Sequence, residues 1–307
     1  MAVRSFDTGT ATPPVFRFAP SPNGLLHLGH ALSALVNFEL CEAQSGRFLL
    51  RMEDIDTVRC TPAYEDAIFE DLTWLGLQWE QPVRRQSDHF EDYADALDTL
   101  QEAGLVYPAT LSRAALKRTI ASAQASGTEW PRDPDGTPLY PRDERNRPLA
   151  EQKIIAAGDE PFAWRLNVDA AMAHLSVASV YWPTFDPHTG EISEAKGDPT
   201  AWGDVVVARR ETPTSYHLSV IVDDALQGVT HVVRGKDLEM ATSVHRLLQM
   251  LLGLQCPVYH HHDLVLADDG QKLSKSRHDT SLASLRASGI APHDIRRMVG
   301  LDARRPA

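Results

Sequence analysis

The stretch RFAPSPNGLLHLGH, residues 17–30, decides how this chain is read. It holds two prolines, two glycines and two histidines in fourteen positions. It joins a short apolar run, Val15 to Phe18, to LGHALSALVNFELCEAQ, where Leu28, Leu32, Leu35, Val36 and Leu40 recur at helical spacing. A strand therefore passes into a helix through a stiffened turn. Pro20 and Pro22 fix the path of the loop. Gly29 omits a side chain at the helix start, so that something can come close to the backbone there. A helix N-terminus offers N–H groups and a partial positive charge, which suits phosphate. His27 and His30 lie three apart, so both imidazoles share one side of a first turn, and each can donate to phosphate oxygen. A plain Pro/Gly turn with two surface histidines fits the same residues, and the stretch alone does not choose.

Outward from it the α/β alternation continues. Gly46 closes the first helix and RFLLRMED follows as a buried strand. Thr61-Pro62 reads as a cap and first turn of a helix to Leu75, and Asp88 opens another through about Ala103. This order predicts an α/β fold, a Rossmann-type parallel sheet with crossover helices. From about Val106 to Trp202 the pattern breaks: a helix near Ser112 to Ala125, the proline-rich WPRDPDGTPLYPRDERNRP, then short strands such as FAWRLNV. We expect an inserted α+β lobe over residues 106–202, a catalytic sheet domain from 1–105 and 203–253, and a C-terminal region over 254–307. In the resumed pattern DVVVARR and THVVRG are strands, and SYHLSVIVDDALQG is a helix ended by Gly228. DLEMATSVHRLLQMLLGL is a further helix. LVLADDGQKLS reads as a hairpin around Asp269-Gly270, with two short helices near 281–287 and 292–299.

Composition bounds the rest. The 307 residues are 43% apolar, enough for a sizeable core. No apolar run is long enough for a bilayer and the N-terminus lacks a signal-peptide core, so a cytoplasmic, non-membrane protein is expected. Cys41, Cys60 and Cys256 have no metal-like spacing and read as ordinary thiols. The net charge of −12 argues against broad, non-specific nucleic-acid binding, though not against a local basic groove.

A second stretch, QKLSKS at 271–276, places Lys272 and Lys275 beside two serines. Lysine is a flexible point charge suited to phosphate oxygens whose charge shifts in a reaction. HLGH with KLSKS far downstream resembles the class I aminoacyl-tRNA synthetases. RFAPSPNGLLHLGH, LLRMEDID, YHLSVIVDD, VVRGKDL and DDGQKLSKS, in that order over about residues 15–277, are similar to the catalytic core of the glutamyl-tRNA synthetase group. That group carries a large anticodon-binding region after the lysine loop, whereas residues 277–307 are too few for one. The truncated architecture resembles a branch that activates L-glutamate with ATP and transfers it to queuosine in the anticodon loop of tRNA(Asp).

What the resemblance implies can be set beside the chemistry. Glutamate needs a cation for its side chain and an acceptor for its ammonium. Arg17 and Arg234 are both at strand ends, and either can hold a carboxylate bidentately. Resemblance gives the side-chain carboxylate to Arg17, puts Arg234 in the same pocket, and places Phe18, Ala19, Pro20 and Ser21 along it. Glu53 would accept from the ammonium and Tyr216 would donate a hydroxyl. The alternative is that Arg17, Glu53 and Arg234 pair with one another and Tyr216 is core. ATP would meet His27, Gly29, His30 and Lys275, with Lys272 in support and Mg²⁺ accompanying the nucleotide. His27, His30, Lys272 and Lys275 are thus the expected catalytic groups, acting by positioning and charge.

The inserted lobe departs from the family, which carries a zinc knuckle there. Ala109 and Leu111 stand where two cysteines fall; Tyr140 remains, and Glu144 replaces the last cysteine. Zinc needs thiolates or imidazoles in tetrahedral number, so no zinc is expected. The run His260 to His262 is a poor chelate, since neighbours on a strand point to opposite faces, and it reads as structural or adenine-adjacent. Two other functions stand beside the main one: a shortened synthetase charging the tRNA 3′ end, and a non-catalytic RNA-binding relative. A monomer is the default.

Overall fold

Four consecutive buried residues, VFRF, form β1 (Val15–Phe18) in a computed structural model that describes residues 13–265 and 280–301. The chain continues through α1 (Leu28–Ala43), β2 (Arg47–Met52), α2 (Pro62–Trp74), β3 (Arg84–Arg85), α3 (Phe90–Glu102), β4 (Val106–Ala109), α4 (Arg113–Ala125) and α5 (Leu149–Ala157). Then come β5 (Ala163–Leu166), α6 (Val168–His174), β6 (Val180–Phe185), β7 (Ile192–Gly197), β8 (Val206–Arg209), α7 (Tyr216–Leu226) and β9 (His231–Gly235). α8 (Thr242–Leu251), β10 (Val258–His262), α9 (Leu282–Ala287) and α10 (Pro292–Met298) complete it. The hairpin expected around Asp269-Gly270 lies outside the described residues.

The main sheet has seven strands in the order β3-β2-β1-β9-β10-β6-β7. All neighbours are parallel except β6 and β7, an antiparallel hairpin at the edge. Successive residues of a strand face opposite sides. Val15, Leu49 and Val232 therefore join one core with α3, α7 and α8, while Phe16, Leu50 and Val233 join the other with α1, α2, α9 and α10. Arg17 shares the face of Val15 and so looks toward α7. Among the described residues no helix is long and apolar enough to cross a membrane.

Two helix ends show local detail, and one expectation needs correction. Gly46 does close α1, its N–H donating to the Cys41 carbonyl at 2.8 Å, although the left-handed residue there is Ser45 (φ 49°). Gly46 is required by proximity instead: a Cβ there would lie 2.7 Å from the Pro14 carbonyl oxygen. The helix expected from Asp88 starts at Phe90, because Gln86–Asp88 first form a 3₁₀ turn. Thr61 caps α2 as expected, its hydroxyl accepting from the Tyr64 N–H.

Strand pairing also crosses the expected border of the inserted lobe. The β6–β7 hairpin, inside 106–202, extends the main sheet through β10. β8, outside that span, pairs with β5 in a separate antiparallel sheet, β4-β5-β8. Edge pairing of this kind follows from which apolar face needs cover: Val180, Trp182 and Phe185 of β6 are buried there.

Within the lobe, Tyr140 and Glu144, two of the positions where resemblance led us to look for zinc ligands, build a carboxylate hub. Glu144 accepts from the Thr110 N–H at 2.9 Å and the Thr110 hydroxyl at 2.5 Å, and also from Tyr140 and Arg147. The Tyr140 hydroxyl in turn accepts from the Leu111 N–H at 2.9 Å. Burial alone would raise the pKa of Glu144, but the bonds from Thr110 and Tyr140 outweigh it and hold it below the usual range. Among the described residues no group of three or more His, Cys, Asp or Glu is placed to hold a metal ion. Replacing Glu144 by Ala should cost about 2–3 kcal/mol by urea denaturation. A depressed carboxyl pKa stabilises above the ordinary carboxyl range and ceases to do so as pH falls through the folded value. Wild type and variant should therefore converge in acid.

Candidate functional site

The parallel strands β1 and β9 are neighbours, and a cavity of about 650 Å³ opens beyond their carboxyl ends, the place where open α/β sheets bind ligands. Arg17, Phe18, Ala19, Pro20 and Ser21 line it from β1 and the loop after it. His27, Gly29 and His30 line it from the start of α1, Glu53 from the end of β2, Tyr216 from the start of α7, and Arg234 from β9. Every expected site residue among those described meets this one cavity. Lys272 and Lys275 lie outside the described residues. Their flanks do not: Val265 lines the cavity, and Ser281 forms an antiparallel bridge with His27.

The first turn of α1 differs in detail from expectation. His27 is the N-cap, and its Nδ1 accepts from the Gly29 N–H at 3.1 Å. The Nδ1 of His30 accepts from the His27 N–H at 3.1 Å. These two backbone donors thus serve the helix's own histidines. The same bonds fix the tautomer, leaving the proton on each Nε2 as the group that donates outward. Proximity to the imidazole also favours glycine at 29: a Cβ there would meet His27 Cε1 at 3.0 Å.

Glu53, Arg17 and Arg234 do not pair with one another. Arg17, only 5% exposed, gives Nε to Asp224 Oδ1 at 3.1 Å and Nη2 to Oδ2 at 3.4 Å. Arg51, with no exposed surface, bonds Asp224 at 2.8 Å and Glu53 at 3.2 Å, and lies 3.5 Å from Asp223. Asp223 also accepts from Arg84, Gln86 and Tyr93 at 2.7 to 2.9 Å. Burial pushes the Glu53 carboxyl up, and the guanidiniums of Arg51 and Arg17 only partly offset this. Asp224 feels the same burial, but Arg17 and Arg51 hold it down.

Arg234 is equally buried and has a different retinue. Its Nε donates to His261 Nε2 at 3.2 Å, and Nη1 to His245 Nδ1 at 3.1 Å. Nη2 donates to the Leu238 carbonyl at 3.2 Å and the Thr242 hydroxyl at 2.8 Å. Nη1 also points to the Tyr216 hydroxyl, at 3.5 Å. No carboxylate of a described residue forms an ion pair with it.

Several of these residues escaped the sequence reading. Asp223 and Asp224 stood in a quoted motif, and their signal was two carboxylates on a helix otherwise apolar through Ile221 and Val222. His245 had no signal: it is one polar residue on an amphipathic helix. The histidine run does diverge as expected, His261 meeting Arg234 while the His260 ring lies 5.5 Å from that of Phe185. His262 lines the cavity; its Nδ1 donates to the Asp263 carbonyl at 2.8 Å, which leaves Nε2 an acceptor.

Burial, and then the charge of Arg234, lowers His217 to about 4 and His261 to about 3, and depresses His245 well below its ordinary value. These histidines stay neutral when folded but bind a proton near pH 6.5 when unfolded. Stability is therefore full above about pH 6.5 and falls toward pH 4, by up to about 1.4 kcal/mol per pH unit for each. Urea denaturation across that window should show the slope, and His217→Gln should flatten it.

Known proteins resemble this chain over most of its length. Residues 15–303 match the family described as tRNA synthetases class I (E and Q), catalytic domain. The Glutamyl-Q tRNA(Asp) synthetase of Rhodobacter capsulatus is 46% identical over 294 residues, covering 94% of this chain and 100% of that protein. The protein of the same name from Geobacter sulfurreducens is 37% identical, covering 90% and 80%. Among solved structures, the glutamate-tRNA synthetase of Elizabethkingia anophelis superposes with a TM-score of 0.76 at 25% identity, covering 96% of this chain and 62% of that one. The chain belongs to the class I tRNA synthetases of the E and Q family, ATP-using ligases, and stands within it beside the glutamyl-Q tRNA(Asp) synthetases.

Proposed function

We propose that this chain activates L-glutamate with ATP and transfers it to queuosine of tRNA(Asp). The observation that carries the reading is the pair of buried arginines facing one cavity with Glu53. Arg17, to which resemblance gives the side-chain carboxylate, has a carboxylate of its own in Asp224, whereas Arg234 has none among the described residues, so we assign the side-chain carboxylate of an acidic amino acid to Arg234 instead. Glu53 would take the ammonium, and Tyr216 would add a hydroxyl to the carboxylate side. In the first step an α-carboxylate oxygen attacks the α-phosphorus of ATP, and the bond to the leaving pyrophosphate breaks. The Nε2–H groups of His27 and His30 would steady the phosphates, and Lys275, with Lys272, would meet the charge growing on pyrophosphate. The Nε2 acceptor of His262 suits the exocyclic amino group of adenine. Mg²⁺ would arrive on the phosphates.

In the second step a hydroxyl of the queuosine ring attacks the acyl carbon and AMP departs. A second cavity, about 510 Å³, supports an entry for that base. It shares Ser21, Asn23, Glu53 and Tyr216 with the first and carries Arg59, Arg113 and Arg209 on its wall. Arg113 and Arg209 belong to α4 and β8, so we read the lobe as an RNA contact, with the C-terminal region as a further one.

The test is glutamate-dependent ATP–pyrophosphate exchange without tRNA, then mapping of labelled glutamate on tRNA(Asp) with and without queuosine. We expect exchange, and label in the anticodon loop only when queuosine is present. Label at the 3′ end would support the shortened synthetase, and absence of exchange the non-catalytic relative. Lys275→Ala should slow adenylate formation by about 10²-fold, and Arg234→Ala should lower kcat/KM for glutamate at least as much.

A further inference from the structure

Two arginines of one cavity are partnered in opposite ways. Asp224 grips Arg17 through both carboxylate oxygens. Around Arg234 the equivalent places are held by His245, His261, Thr242 and a carbonyl. A guanidinium cannot lose its proton, so it donates every hydrogen bond it makes. His245 Nδ1 therefore accepts, and the Nε2 of His245 carries the ring's proton, 3.1 Å from His217 Nδ1. His261 Nε2 accepts likewise. Among the described residues the cation is oriented at four contacts by groups that bring it no charge; it also lies 5.3 Å from the centre of the Tyr259 ring and makes a long contact to Tyr216, which lines the cavity.

We propose that His245 is a specificity-determining residue: by presenting an imidazole where Arg17 has a carboxylate, it leaves the charge of Arg234 for the ligand to meet, and so sets the preference for an acidic over an amide side chain. His245 acts through Arg234 and need not touch the amino acid. It is 1% exposed, so water cannot stand in for a missing anion at that face of the guanidinium. A carboxylate at position 245 would pair with Arg234 and satisfy it internally. An incoming side-chain carboxylate would then meet a neutral pair, whereas an amide would lose little. An imidazole that only filled space would favour neither ligand.

The inference rests on the glutamate reading above, and its test separates the two. ATP–pyrophosphate exchange is measured on the full chain with glutamate and with glutamine, for wild type, His245→Asn and His245→Asp, each first checked for folding by circular dichroism. His245→Asn keeps an uncharged acceptor toward Arg234 and should keep the wild-type ratio of kcat/KM for glutamate over glutamine within a few-fold. His245→Asp should lower that ratio by about 10²-fold or more. If His245→Asp does not fold, His261→Asp, on a less enclosed side of the same guanidinium, carries the same expectation. Equal loss on both amino acids in a folded Asp variant overturns the inference, as does a ratio that falls equally in Asn and Asp. Failure of the wild type to use glutamate at all would instead overturn the proposed function.

Discussion

A single buried guanidinium organises the site. Arg51 has no exposed surface and sits among Glu53, Asp223 and Asp224. Isolating such a cation would be prohibitive, and three carboxylates of one sign would repel one another without it. The two demands meet because β2 delivers Arg51 and Glu53 from one side while α7 delivers both aspartates from the other. Removing either partner would strand a charge in the core. The cluster therefore fixes the position of Glu53 directly and of Arg17 through Asp224, before any ligand arrives.

That arrangement places the cavity's contrast on a firm base. Arg17 is held by an anion that is part of the fold, and Arg234 by groups without charge. One cation is thereby committed to architecture, and in our proposal the other is kept for recognition. The histidines of α1 show a related economy: their Nδ1 atoms cap the helix while their Nε2–H groups remain donors.

Much of this was legible in the residues. The short apolar runs and the helical spacing after Leu28 point to the sheet and its crossovers, and the Pro/Gly turn marks one strand-to-helix crossing as a candidate site. Arg17, Glu53, Tyr216 and Arg234 were named from strand ends and resemblance, and the structure gathers them at one cavity. Partners were harder to foresee. Which carboxylate answers Arg17 depends on α7 lying across the sheet, a contact 207 residues apart in sequence. Likewise β6 and β8 exchange sheets against the linear order, since strand pairing depends on which edges the tertiary packing leaves open. His245 became visible only when its ring was seen against Arg234.

The lobe's hub has a consequence for when the protein keeps its shape. A knuckle closed by thiolates and zinc comes apart in the presence of chelators or of oxidants that capture sulfur. Here Ala109, Leu111, Tyr140 and Glu144 occupy those four positions, and Glu144 gathers donors instead of sharing a cation. No thiol takes part in this hub, so protonation of Glu144, rather than capture of sulfur, is what would loosen it.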